Sequence, residues 1–139
     1  AATVDCNQID IWGSLYAIYC GLASESQAKS IVEYLIDHQD GIVQRGQIRH
    51  CAPDEYWERG LTSKDRYQNG GYWATPFGWW FAAIYPGHPE LAKGTFIELV
   101  EDFKENGINE WVLGDQKAVP DYVASACQPL AGLMRVGLR

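Results

Sequence analysis

Apolar residues recur at helical spacing in five stretches of this chain, separated by breaks rich in polar residues, glycine or proline. From Ile9 to Ala23, the residues Ile11, Trp12, Leu15, Ile18, Tyr19 and Leu22 share one wide face, which predicts a helix with little polar surface. Ser24 stands three residues before Gln27, the spacing of a capping box, and Ala28, Ile31, Val32, Leu35 and Ile36 continue the period. This second helix is expected to end near His38-Gln39-Asp40-Gly41. Thr75-Pro76 has the chemistry of an N-cap and first turn, and Phe77, Trp80, Phe81 and Ile84 follow before Pro86-Gly87 stops a third helix. Pro89 opens a fourth, whose inner stripe runs through Leu91, Phe96, Leu99 and Phe103 to a stop at Gly107. A fifth is predicted from about Asp121 to Met134, interrupted by Pro129.

The helices repeat. Gly13, Leu15 and Ala17 match Gly78, Trp80 and Ala82 at an offset of 65, and Ala28-Lys29, Val32, Leu35 and Ile36 match Ala92-Lys93, Phe96, Leu99 and Val100 at 64. Each unit is an apolar inner helix, a short turn, a more amphipathic outer helix and a long return, and the fifth helix begins a third unit. Such units cannot bury their faces alone. The pattern therefore predicts an all-α chain, a single segment over residues 1–139, built as an αα-hairpin array of about two and a half hairpins. Its neighbours would come from a ring, a solenoid or an oligomer.

Composition narrows the partners. Eleven Lys and Arg against 18 Asp and Glu leave a formal charge of −7, with the cations scattered singly, so nucleic acid and anionic membrane are not expected partners. The uncharged run from Tyr67 to Tyr85 is broken by Gln68, Asn69, Gly70, Gly71, Thr75 and Pro76, which argues for a loop and a short buried helix rather than a membrane span. Residues 1–5 carry no signal-type stretch. Cys20 in an apolar stretch and Cys127 among small residues read as buried, reduced thiols, so a cytoplasmic setting is expected. The cysteines lack metal-ligand spacing, and neither metal nor cofactor is expected.

Candidate chemistry lies in the returns. The 34 residues from Asp40 to Trp73 have no helical period, and loops of this length are usually functional or disordered. Disorder is disfavoured by Ile42, Ile48, Tyr56, Trp57, Tyr67 and Trp73. Interleaved with these are Gln47, Arg49, His50, Glu55, Gln68 and Asn69. Carboxylates, amides and guanidinium suit the hydroxyls of a sugar, and flat rings such as Trp57 suit its C–H face, so a small saccharide is the expected ligand. Ser14, Ser125 and Cys127 have no nucleophile-elbow context, which gives acyl transfer no support. In the second return, Glu110 sits between Asn109 and Trp111, where an adjacent indole can tune a carboxyl group.

Tyr67-Gln68-Asn69-Gly70-Gly71-Tyr72-Trp73, an aromatic helix, His88-Pro89-Glu90-Leu91-Ala92 and then Asn109-Glu110-Trp111 resemble the six-hairpin (α/α)6 glycoside hydrolases, the neutral/alkaline invertase group most of all. Val4-Asp5-Cys6-Asn7 before an apolar helix also looks like that group's F-D-C element. The resemblance implies the C-terminal part of an (α/α)6 domain, a partial toroid whose sugar site lies where inner helices and long loops meet. It implies Glu110 as the catalytic base, with the acid in a first half not matched here. It also implies that Asp5, Gln68, Asn69 and Trp73 join His50, Glu55 and Trp57 at the substrate. The expected activity is glycoside hydrolysis within a longer chain, with the isolated 139 residues inactive, and the alternative is a non-catalytic carbohydrate-binding or interaction module.

Overall fold

A computed structural model describes residues 8–58 and 62–138. Among these described residues are six helices, α1 (Ile11–Tyr19), α2 (Glu25–Asp37), α3 (Gln39–Ile42), α4 (Phe77–Ile84), α5 (Pro89–Asn106) and α6 (Val123–Arg135). Five strands, β1 (Val43–Gln44), β2 (Gln47–Arg49), β3 (Tyr72–Trp73), β4 (Asn109–Leu113) and β5 (Gln116–Pro120), form one antiparallel sheet in chain order. The all-α expectation is overturned, and with it the hairpin array drawn as a partial (α/α)6 toroid. The chain mixes α and β because both long returns pair with each other instead of running as loops.

The turns explain the pairing. Arg45 and Gly46, both left-handed at φ 50 and 72, join β1 to β2 in the manner of a type I′ turn, whose twist matches the strands. Gly114, at φ 56, opens the two-residue Gly114-Asp115 connection between β4 and β5, where a glycine at the first corner suits a type II′ turn. Tyr72 bridges the two returns, pairing with Arg49 on one side and Val112 on the other.

The helical part holds closer to expectation. Ser24 and Gln27 make the full capping box of α2. Gly107 ends α5 at φ 77. Pro129 is buried inside α6 without ending it. Thr75 does not cap α4, since its buried hydroxyl finds no hydrogen-bond partner and the first turn opens at Pro76. Cys20 and Cys127 are exposed rather than buried, Cys20 as the residue closing α1 and Cys127 on the outer face of α6. Cys51 is the buried thiol, unpaired like the other two, and Cys6 lies outside the described residues. No described helix is long and apolar enough to cross a membrane.

The core forms around α4. Phe77, Trp80, Phe81 and Ile84 pack with Ile11 and Leu15 of α1, Leu35 of α2, Leu99 of α5 and Ile48 of β2. On its far side α4 meets α6 backbone to backbone. A Cβ on Gly78 would run into the Gln128 carbonyl, and one on Gly132 would meet Gly78 itself, so both must be glycine for the helices to approach this closely.

The sheet is fastened to this body at α5. The buried Asp102 carboxylate accepts hydrogen bonds from Gln47 Nε2 (2.7 Å), Asn106 Nδ2 (2.8 Å) and Arg45 Nη1 (3.4 Å). Gly46 at the hairpin tip rests against Thr95 and Leu99, where a Cβ would have no room. Asp102→Ala should strip the buried Gln47 amide of its acceptor and cost about 1–3 kcal/mol. Urea unfolding measures the loss, and amide exchange should show it concentrated in β1 and β2; unchanged protection there would rule out this role for Asp102.

Candidate functional site

The sheet lies across the N-terminal ends of α1 and α4, because Asp10, the residue before α1, bridges to Cys51, and β3 leads directly into α4. Asp10 caps α1 by accepting from the Gly13 N–H (2.7 Å) and also takes a bond from His50 Nε2 (3.1 Å). Burial by itself would raise the Asp10 carboxyl, but the bonds from His50 and the Gly13 amide outweigh it and hold the group below the usual aspartate range.

From His50 a continuous run of ring contacts crosses the sheet end. His50 stacks on Trp12 (4.1 Å between centroids, 11°) and meets Trp57 edge-on (4.3 Å, 86°). Trp12 meets Trp73 edge-on (5.3 Å, 81°), and Trp73 meets Tyr67 in the same way (4.9 Å, 73°). These are the offset and edge-to-face arrangements that ring quadrupoles favour. At the end of the run the Tyr67 hydroxyl donates to Glu110 Oε1 (3.3 Å). Burial and the Glu110 charge both push the Tyr67 phenol up, so it remains a donor at neutral pH.

Tyr67 is the ring of this run with most surface in water, 37% exposed, and its backbone is left-handed at φ 53. For a bulky residue that conformation is strained by about 1–2 kcal/mol, and strain of this kind clusters at functional sites. Gly71 makes room for it: a Cβ there would collide with the Tyr67 carbonyl and the Trp111 ring.

The residues expected at a sugar site fall into two groups. His50, Trp57, Trp73 and Glu110 join the run just described. Trp57 and Trp73, however, are 7% and 3% exposed, so their faces are covered by protein. Asn69 is buried and spends both amide hydrogens on Trp57 O (3.1 Å) and Thr62 O (3.0 Å) while accepting from Trp57 N–H (2.8 Å), which makes it the brace of the loop. Glu55 accepts from the Ile9 N–H (2.7 Å) and ties the loop to the entry of α1; its charge, after burial, is the second cause that raises the Tyr34 phenol. Gln68 is half-buried beside Asn69. Asp5 lies outside the described residues.

Asp10, Trp12 and Tyr67 belong to the site without being among the candidate site residues that the sequence offers. The signal for Asp10 was its place three residues before Gly13 at a helix start, the spacing of an Asx N-cap. Trp12 shares the helical period of α1 and is indistinguishable from a core residue by spacing alone. On the other side of β2, the Arg49 guanidinium lies over the Tyr56 ring (5.0 Å) and Lys64 covers Tyr56 at 4.2 Å. Burial there pushes the Cys51 thiol up, against the opposing pull of Arg49. Among the described residues no group of His, Cys, Asp or Glu is placed to hold a metal ion.

Comparison with protein families, with curated proteins and with solved structures returns no match to this chain.

The Asp10 shift has a sign that can be measured. Its folded-state carboxyl titrates below the unfolded value of about 3.9, so its ionised form contributes stability that is present above that value and lost as pH falls through the folded one. Asp10→Asn should be less stable than the parent at neutral pH, with the gap closing in acid. Urea melts across the acid range check this, and a gap that widens in acid would contradict it.

Proposed function

We propose that the sheet end of this chain is a carbohydrate site of glycoside-hydrolase type, in which Tyr67 stacks on a small saccharide and Glu110 is the carboxylate that faces its hydroxyls. The observation that carries this reading is the run of rings from Trp57 through His50, Trp12 and Trp73, which ends in a half-exposed tyrosine bonded to a half-buried glutamate. Rings locked by their neighbours lose little entropy when a ligand settles on them, and a carboxylate beside them supplies directional hydrogen bonds.

Glu110 has the chemistry of a base that activates water. Glycoside hydrolysis also needs an acid at the leaving oxygen, and the two carboxyl groups must flank the bond. Asp10 is committed to the Gly13 amide and to His50, and this commitment favours a second reading, a module that binds sugar without cleaving it.

The isolated chain should therefore bind a saccharide without hydrolysing glycosides at an enzyme-like rate, since a missing general acid forfeits a factor of about 10²–10⁴. Calorimetric titration with a panel of neutral mono- and disaccharides should give affinity that falls on Tyr67→Ala and on Glu110→Gln. Parent chain that binds none of the panel would remove the reading. Turnover of an aryl glycoside that disappears in Glu110→Gln would show that the chain already holds its acid.

A further inference from the structure

Helix α1 carries an imbalance that the site at its N-terminal end does not explain. Its nine residues, Ile-Trp-Gly-Ser-Leu-Tyr-Ala-Ile-Tyr, include no charge, yet only Ile11 and Leu15 are buried. Trp12, Tyr16 and Tyr19 stand at i, i+4 and i+7, so they share one face of the helix. Tyr16 is 48% exposed, and Trp12 and Tyr19 keep part of their surface in water. The rings are ordered against one another: Tyr16 lies parallel to Tyr19 (6.4 Å, 18°) and is flanked by Trp79 of α4 (4.9 Å, 59°). Beyond Tyr19 the Arg135 guanidinium covers the ring at 5.5 Å, and a cleft of about 460 Å³ opens between Tyr19, Tyr85 and Arg135.

We infer that this face continues the saccharide site into a track for a neutral oligosaccharide, entered at Trp12 and leading along Tyr16 and Tyr19 to the cleft at Arg135. The inference rests on the carbohydrate reading above and adds the length and charge of the ligand. Three features choose this occupant over an apolar helix of another protein. The face meets the ring run of the site at Trp12, which touches both His50 and Trp73. Its rings end in phenolic hydroxyls and a guanidinium, groups that pair with sugar hydroxyls, rather than in aliphatic knobs. It also carries no charge between Asp10 and Arg135 on α1 and its ring partners, which suits an uncharged chain. From Trp12 to Tyr19 the track rises about 10 Å along the helix axis, more than one sugar ring can occupy.

The test is calorimetric titration of the full chain with cello-oligosaccharides and malto-oligosaccharides of one to six units. Affinity should rise with length in one of the two series. Tyr16→Ala should weaken the longer members roughly five- to tenfold, the scale of one aromatic contact, and leave the monosaccharide unchanged, while Tyr16→Phe should retain the parent affinity because the ring remains. Tyr67→Ala should weaken every length. Equal affinity for one and six units, or no effect of Tyr16→Ala on the longer members, would overturn the track and leave the carbohydrate site standing. Absence of binding at every length in both series would overturn the site and the track together. Sedimentation showing self-association that Tyr16→Ala abolishes would assign the face to a second copy of the chain and overturn the track.

Discussion

One buried carboxylate decides where the sheet sits on the helices. Asp102 lies inside α5 with three donors around it, and two of them, Gln47 and Arg45, belong to the β1–β2 hairpin. A charge in that position is tolerated only while its hydrogen bonds are made, so the hairpin cannot slide along α5 without stranding it. Register follows from this single fastening. With Gln47 fixed, Ile48 enters the core, the alternation of the strand turns Arg49 the other way, and His50 arrives opposite Asp10 and against Trp12.

The helices were legible because their signals are local. A capping box at Ser24, a proline at the start of α5, a glycine past its end and apolar residues every three or four positions each act within a few residues of where they are read. The sheet was not legible because its strands are two to five residues long, too short for a period of two to show. Gln44-Arg45-Gly46-Gln47 is polar throughout and gives no alternation to read. Gly114-Asp115 between Trp111-Val112-Leu113 and Ala118-Val119 does carry a hairpin signal, but the apolar stretches on either side are too short to mark two strands in a segment that otherwise reads as a return loop.

The site was legible in its ingredients and not in its division of labour. Aromatic and polar residues in the long return suggested a ligand surface, and the structure uses most of the indole area there to hold the surface up. Trp57 and Trp73 are supports, Asn69 is a brace that mimics a strand by bonding to the Trp57 backbone on both sides, and the exposed ring is the tyrosine between them in sequence. No pattern distinguishes a supporting indole from a contacting ring. That distinction is set by which faces the neighbours cover, and those neighbours come from α1, β2 and β4, far apart in the chain.

This wide separation also fixes the order in which the molecule can assemble. The hairpins β1–β2 and β4–β5 close over two residues each, and the helices form from contacts within a turn or two, whereas the central ladder joins Ile48 to Trp73 and Tyr72 to Val112. Contacts that distant carry the entropy of closing a long loop before any ladder bond is gained, so they form slowly and late. The two residues of β3 are thus the closing seam of the protein, and the ring surface that straddles them comes into being only when the rest of the chain has already found its place.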